Sequence, residues 1–474
     1  MIAGGSPASE FATALLAELV GAGVRDVVVS PGSRSQALAL AAAAFERAGR
    51  VRVHVRIDER SAGFLAVGLS LESGRRVAVI TTSGTAVAEL HPAALEAAHS
   101  GVPLVLLTAD RPAELQGVGA NQTTRQPGML GELVPCIAVE APVEGADHAA
   151  DARALLAQVL AHDGPVHVNL AFREPLSAPV PPADPLPEER GTRVPAAVLE
   201  PRRHGRHPSV GPAVLEPRPG TVVIAGTLAG PDAEQAARRL GAPLLAEVAS
   251  GARFGPQLVP AYRELLRDPE FGGRVERAVV FGHPTLSREV PALLQRDDVE
   301  AIVVRAPGVE AYDPARRARI ADAVDIDGEP DPVWARPWVG SWVSASRKLL
   351  AVDEPLGAAL TDDYAERAAF ARELVAELRE PVTRRMLVDA VWRATWPHDR
   401  LVLGASRLIR ELDRVAPGKR IPVYANRGLA GIDGTIATAT GIALASQGDD
   451  EVRPGVTRVL LGDLALLHDA GSLL

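Results

Sequence analysis

The sequence predicts an α/β protein of three parallel-sheet units, the third of them incomplete. Three observations point there. Short apolar runs of strand length alternate with segments whose apolar residues recur at helical spacing, the pattern of a parallel sheet covered on both faces. A Pro- and Arg-rich stretch without periodicity, residues 181–219, separates the first set of repeats from the second. At 474 residues the chain also exceeds what one core ordinarily organises.

The first unit covers residues 1–180. Ser6 followed by Pro7 marks a helix start, and Phe11, Leu15, Leu16 and Leu19 then recur on one helical face. Strands are expected over 26–30, 51–57, 76–81, 102–107 and 165–170, with helices over 36–47, 60–72, 86–99 and 149–160 between them. Within the 181–219 linker, Ala197-Val-Leu-Glu-Pro-Arg202 recurs as Ala213-Val-Leu-Glu-Pro-Arg218, a local duplication with no function implied. The second unit, 220–355, is Rossmann-like, with strands over 221–225, 277–281 and 301–304 and a helix over 232–240. Its Gly226 and Gly230 do not complete G-x-G-x-x-G, so they read as structural glycines. The third unit, 380–474, has helices over 385–396 and 407–415, strands over 401–403, 421–424 and 457–461, and a helix ending near 445.

Composition limits the function. A net charge of −9 offers no basic excess for neutralising phosphates, which argues against a nucleic-acid partner. It leaves anionic small substrates open, because local arginines decide those. Lysines number two, Lys348 and Lys419, so arginine supplies nearly all the positive charge. Coding bias suffices to explain this, although arginine forks also suit bidentate carboxylate recognition. The single Cys136 allows no internal disulfide and fits a reducing cytoplasm. No run reaches membrane-spanning length, so no membrane insertion is expected.

The run over 51–57 delivers Glu59 to the start of a helical pattern, beside the small-residue loops Ser30-Pro-Gly-Ser-Arg34 and Thr81-Thr-Ser-Gly-Thr85. Two readings stand. An acid in a first helical turn suits the macrodipole, with Asp58 as cap. Alternatively, an acid at a strand's carboxyl end lies where open α/β sheets place ligands. Gly462-Asp463 after a buried strand reads either as a turn or as an oxygen ligand for a hard cation. His91, His99 and His468 show no metal spacing and receive no role.

Further motifs occur in order with these. They are Ser30-Pro-Gly-Ser-Arg-Ser35, Ile57-Asp-Glu-Arg60, Thr82-Ser-Gly-Thr-Ala86, Thr108-Ala-Asp-Arg-Pro112, Gly119-Ala-Asn-Gln122 with Arg125-Gln-Pro-Gly128, Gly164-Pro-Val-His-Val-Asn169 with Glu174-Pro-Leu176, and Asn426-Arg-Gly-Leu-Ala-Gly-Ile-Asp-Gly434. Over nearly its whole length, the linker excepted, the chain resembles the thiamine-diphosphate-dependent 2-succinyl-5-enolpyruvyl-6-hydroxy-3-cyclohexene-1-carboxylate synthases of menaquinone biosynthesis. The arginine-bearing motifs are specific to that family. Gly-Pro-Val-His and Gly-Asp are shared across thiamine-diphosphate enzymes.

The resemblance implies pyrimidine-binding, middle and diphosphate-binding domains. It implies a homodimer or homotetramer, with each cofactor held between the first domain of one subunit and the third of another. The implied reaction decarboxylates 2-oxoglutarate and adds the succinyl-semialdehyde unit in a 1,4 sense to isochorismate. By matching position, Glu59 contacts the aminopyrimidine ring of thiamine diphosphate. Ser33, Arg34, Arg111, Asn121 and Gln122 line the isochorismate side, and Arg288 reaches the same region. Ser406, Arg410 and Arg427 hold the 2-oxoglutarate side. Asp463 is one ligand of Mg²⁺ or Mn²⁺.

The family pattern continues past Asp463 with an Asn-bearing segment. Its absence here leads to the expectation that the chain is C-terminally truncated, binds the cofactor poorly alone and is inactive alone. Two other readings compete: another 2-oxoacid decarboxylase or acetolactate-type synthase, which leaves the arginines unexplained, and a non-catalytic remnant of the same scaffold.

Overall fold

Runs rich in Val, Ile and Leu collect into three main parallel sheets in this computed structural model, which describes residues 5–179, 209–306, 308, 310–351, 363–379, 381–447 and 455–473. The first sheet has six strands: β1 (Asp26–Val29), β2 (Arg52–Val55), β3 (Val77–Thr81), β4 (Leu104–Asp110), β5 (Cys136–Val139) and β6 (Val166–Ala171), in the order β2-β1-β3-β4-β6-β5. Successive side chains alternate between two cores. Val27, Val29 and Ile80 pack with Leu15, Leu38 and Leu155 of the helices Pro7–Gly21, Gln36–Arg47 and His148–Leu160. Val28 and Val79 face Leu65, Leu69 and Ala94 of the helices Glu59–Ser73 and His91–Ser100. Full burial of each such side chain stabilises the fold by roughly 1.5–3 kcal/mol.

Two expectations change here. The strand expected over 51–57 is the shorter β2 at the sheet edge, where Val55 and Ile57 stand exposed (54% and 82%). The helix expected over 86–99 is two helices, Thr85–Glu89 and His91–Ser100, meeting at Leu90. Pro92 lacks an N–H and is tolerated only in a first turn, so the helix restarts just before it.

The second sheet contains β8 (Thr221–Ala225), β9 (Leu244–Ala246), β10 (Arg277–Phe281), β11 (Glu300–Val304) and β12 (Arg319–Ala321), in the order β12-β11-β10-β8-β9. Beside it, β7 (Pro212–Leu215) pairs in parallel with β13 (Ala323–Ile326). This corrects the linker reading of 181–219 at its end. The second copy of the duplicated hexapeptide supplies Ala213 and Leu215 to the core, and the alternation of buried and exposed residues along β7 suits an edge strand. The first copy, and the rest of that stretch up to residue 208, lie outside the described residues. The helix Pro332–Ala351, not foreseen from the sequence, packs Trp338 and Trp342 against this unit.

The third sheet orders its strands β15 (Val423–Tyr424), β14 (Arg400–Leu403), β16 (Thr457–Leu460). It docks on the first unit through Glu72, which accepts from Arg400 Nε at 3.0 Å and from the Tyr424 hydroxyl. The helix Thr435–Gln447 lies against the helix Glu59–Ser73, with Gly68 and Gly441 at the closest approach.

Candidate active site

A parallel sheet forms a crevice where consecutive connections leave in opposite directions, outside the carboxyl ends of the strands. In the first sheet that point lies between β1 and β3. The Ser30–Ser35 and Thr82–Thr85 loops meet there. Gly32 makes this possible, because a Cβ at that position would stand 2.6 Å from Thr82 Cγ2. Adjacent strand order then sets the loops after β2, β1, β3 and β4 side by side. These four loops carry Glu59, then Ser33 with Arg34, then Ser83, then Arg111.

Glu59 is the first residue of its helix, and Asp58 is the cap, accepting from Ser61 N at 3.0 Å. The capping reading falls to Asp58, and the Glu59 side chain is left free of that task. Burial pushes the Glu59 carboxyl above the usual carboxylate range. Its own backbone N–H opposes that, and the charges of Asp58 and Glu89 add to it.

Arg34 and Arg111 converge. Burial lowers the Arg111 pKa first, and the positive charge of Arg34 lowers it further. Arg34 donates to Phe172 O at 3.2 Å and lies 4.0 Å from Glu174, while its buried Nε has no partner among the described residues. Two guanidinium groups held together with an unused donor could hold an anion. Arg111 donates from Nη1 to Ser83 Oγ. Ser83 Oγ donates in turn to Gln122 O at 3.0 Å, and Gln122 Nε2 donates to Ser83 O at 3.0 Å. Gln122 thus serves as a brace for the Arg111 loop. Asn121 and Ser33 are exposed beside it.

A buried polar chain runs behind these loops. Gln126 accepts from Gly84 N at 2.8 Å and donates to Asn169 Oδ1 at 2.7 Å. Asn169 donates to Asp110 Oδ2 at 2.8 Å, and Asp110 Oδ1 accepts from Arg111 N at 2.7 Å. Thr108 joins Asn169 to His167, whose pKa burial pushes down to about 4. The sequence had given Thr108, Asp110, Gln126, His167 and Asn169 no role. Their signal was two polar side chains, His167 and Asn169, alternating inside an otherwise apolar strand.

In the third sheet the corresponding crevice lies between β14 and β16. Gly404 approaches Leu461 closely there, a Cβ falling 2.9 Å from Leu461 Cβ. Ser406 and Asp463 flank the point. Ser406 Oγ accepts from Leu408 N at 3.3 Å and so caps the helix Arg407–Val415, a structural task the sequence reading had not assigned it. Asp463 opens the helix Asp463–His468 and is exposed. No cluster of three metal-ligating side chains occurs among the described residues. Arg60, next to Glu59, donates to His468 O at 3.1 Å, so the segment that Asp463 begins packs on the helix that Glu59 begins.

Arg427 is buried and donates from Nε (2.9 Å) and Nη2 (2.6 Å) to Thr285 Oγ1 of the second unit. Burial lowers its pKa, with Arg410 among its charged neighbours. The next two residues are held by the first unit: Gly428 N and Leu429 N both donate to the Glu96 carboxylate at 2.8 Å. Arg288 is exposed, and its backbone N–H donates to Glu289. No hydrogen bond or ion pair joins the Arg34–Arg111 group to the Arg410–Arg427 group among the described residues.

Residues 9–129 match the family model described as thiamine pyrophosphate enzyme, N-terminal TPP binding domain. The chain is 58% identical over 498 residues to the 2-succinyl-5-enolpyruvyl-6-hydroxy-3-cyclohexene-1-carboxylate synthase of Leifsonia xyli subsp. xyli, covering 99% of this chain and 82% of that protein. It is 58% identical over 484 residues to the enzyme of the same name from Clavibacter michiganensis subsp. michiganensis, with the same two coverages. Against that of an Arthrobacter species the identity is 44% over 478 residues, covering 96% of this chain and 72% of the relative. An X-ray structure of a protein from Mycobacterium smegmatis superposes with a TM-score of 0.57 at 17% identity, covering 99% of this chain and 85% of the other, a likeness of fold.

Proposed function

The chain belongs to the family of thiamine-diphosphate-dependent 2-succinyl-5-enolpyruvyl-6-hydroxy-3-cyclohexene-1-carboxylate synthases, transferases of menaquinone biosynthesis, and from that premise we propose how its residues divide the work. The substrates are 2-oxoglutarate and isochorismate. The observation that carries the proposal is the pair of crevices: one has a half-buried acid with a raised pKa and two converging arginines on adjacent loops, the other a glycine-flanked aspartate at the end of β16.

Thiamine diphosphate, when bound, supplies an electron sink that lets a 2-oxoacid lose its carboxylate. The chain's residues fit it at the pyrimidine end. Glu59, held at a helix start by the Asp58 cap and shifted toward its protonated form, holds a proton at its carboxyl oxygen for exchange with the ring. At the diphosphate end Asp463 is the residue suited to Mg²⁺ or Mn²⁺, with Gly462 leaving open space beside it.

Arg34 and Arg111 bind the carboxylates of isochorismate, with Ser33, Asn121 and Gln122 around them and Arg288 approaching from the second unit. Charge-assisted pairing with two guanidiniums fixes both position and orientation. Arg427, Arg410 and Ser406 receive the remaining carboxylate of 2-oxoglutarate. The first, second and third units act as pyrimidine-binding, middle and diphosphate-binding domains. The apolar side chains of Val55 and Ile57, exposed beside Glu59, favour a second copy at this edge, hence a homodimer or homotetramer. No helix among the described residues is long and apolar enough to cross a membrane. Two anionic substrates and a lone free cysteine suit the cytoplasm.

The test supplies thiamine diphosphate and Mg²⁺ to the purified protein and follows carbon dioxide release. Release that requires 2-oxoglutarate and isochorismate together is expected, and such turnover would also overturn the expectation that this chain is inactive alone. Equal release from 2-oxoglutarate alone, or from pyruvate, would instead indicate a simple decarboxylase or an acetolactate-type synthase.

A further inference from the structure

Glu247 follows β9 and is 1% exposed. Its Oε1 accepts the N–H groups of Thr285 at 2.8 Å and Leu286 at 2.6 Å. Those residues open the turn Thr285-Leu286-Ser287-Arg288. Thr285 in turn accepts the Arg427 guanidinium on Oγ1 and, at 3.2 Å, on its carbonyl oxygen. We infer that Glu247 is a positioning residue: one buried carboxyl fixes the turn that presents Arg288 and, through Thr285, sets the orientation of Arg427. The inference deepens the functional reading above and rests on it, because Arg288 and Arg427 face the two substrates only in that reading.

The chemistry favours this over simple packing. A buried carboxyl is costly unless its lone pairs are used, and an apolar side chain would fill the same volume more cheaply. Here Oε2 has no hydrogen-bond partner among the described residues, so both directional bonds come from Oε1 and both go to one turn. The platform behind it is rigid. Val248 N donates to Asp413 Oδ1 at 2.7 Å, and Tyr262 and Arg263 donate to Asp413 Oδ2 at 2.7 and 2.5 Å. Arg253 donates to Ala246 O on one side and to Asp413 O and Ala416 O on the other. With the end of β9 immobilised, the loop cannot follow a shortened or missing side chain at Glu247. Burial, followed by the charge of Asp413, pushes this carboxyl's pKa up to about 8, so near neutrality it is largely uncharged and an amide is a close mimic.

The experiment is steady-state kinetics on the full chain with thiamine diphosphate and Mg²⁺, varying 2-oxoglutarate and isochorismate separately. Glu247→Gln keeps an acceptor oxygen and is expected to hold both KM values within about threefold of wild type. Glu247→Ala removes it and is expected to raise both by about tenfold or more, with kcat falling less. Unchanged KM values in Glu247→Ala, or a Gln variant as impaired as Ala, overturn the inference. Should circular dichroism show that Glu247→Ala does not fold, Thr285→Val decides: a KM for 2-oxoglutarate raised about tenfold supports the relay, and an unchanged one overturns it. Wild type without isochorismate-dependent turnover would overturn the functional reading and this inference together; active wild type with unmoved variants overturns this inference alone.

Discussion

Gly441 meets Gly68 so closely that a Cβ on Gly441 would stand 3.0 Å from the Gly68 carbonyl carbon and 2.7 Å from Leu69 N. A Cβ on Gly68 would collide with Thr438 O in the same way. The obstacles are backbone atoms, which cannot swing aside. This crossing joins the helix that begins at Glu59 to the third unit, so it sets the height of one crevice relative to the other.

Gly68→Ala should therefore destabilise the protein. Helix propensity alone favours alanine by about 1 kcal/mol, but overpacking against fixed backbone costs roughly 1–3 kcal/mol or more. The clash outweighs the propensity. Urea denaturation should show a lower midpoint for Gly68→Ala and for Gly441→Ala. A higher midpoint in either would mean the helices can separate without loss.

Glu59→Gln should abolish most turnover while leaving the fold intact. The amide preserves size and can accept and donate hydrogen bonds, yet it cannot give up or hold a proton near neutrality. General acid–base contributions of this kind amount to roughly 10²–10⁴ in rate. Single-turnover decarboxylation at saturating thiamine diphosphate should fall by that order, with the thermal midpoint unmoved because Asp58 still caps the helix.

Arg111→Lys tests the anion site. Lysine keeps the charge but cannot donate to Ser83 and to a carboxylate at once from a planar fork. Loss of one charge-assisted bond is worth about 1.5–3 kcal/mol, which corresponds to a KM for isochorismate raised roughly ten- to hundredfold. The KM for 2-oxoglutarate should change little. Equal effects on both substrates would place Arg111 in the scaffold rather than at the isochorismate side.

The elements that were legible in the sequence share one property: local pattern reveals them. The apolar runs before Ser30 and Arg111 read as strands and the pattern after Glu59 as a helix, whereas the roles proposed for Arg34, Arg111 and Glu59 rest on the family resemblance. Glycine in a helix interior, as at Gly68, is a signal of close approach, though it does not name the partner. Glu247, Thr285 and Asp413 carried no such signal, because their meaning comes from contacts between residues far apart in the chain. Val248 N and Asp413 Oδ1 are 165 residues apart in the chain and 2.7 Å apart in space. Strand β7 was hidden for a similar reason: a short edge strand in a Pro-rich stretch declares itself only through its partner β13. Ser406 shows the opposite case, a residue whose family position suggests ligand contact and whose hydroxyl also caps a helix.

The pH dependence of stability should have an acid limb set by His167. Burial lowers its pKa from 6.5 to about 4, and its Nε2 is hydrogen-bonded to Thr108 Oγ1 at 2.7 Å. In the unfolded chain the imidazole binds a proton below its ordinary pKa, whereas in the fold it resists one. The unfolded state thus binds more protons between pH 6.5 and pH 4, and stability is fully present above that window and lost as pH falls through it. The depression corresponds to a loss of roughly 3 kcal/mol across the window. Glu247 slopes the other way: its raised pKa means the fold holds a proton the unfolded chain releases, so its contribution is lost as pH rises toward about 8. The two limbs overlap, and single variants separate them. Thermal melts of His167→Gln between pH 4 and pH 7 should be flatter on the acid side than wild type, while Glu247→Gln should flatten the decline in stability toward pH 8. An acid limb that survives His167→Gln would mean carboxylate protonation, and not the buried imidazole, governs acid unfolding.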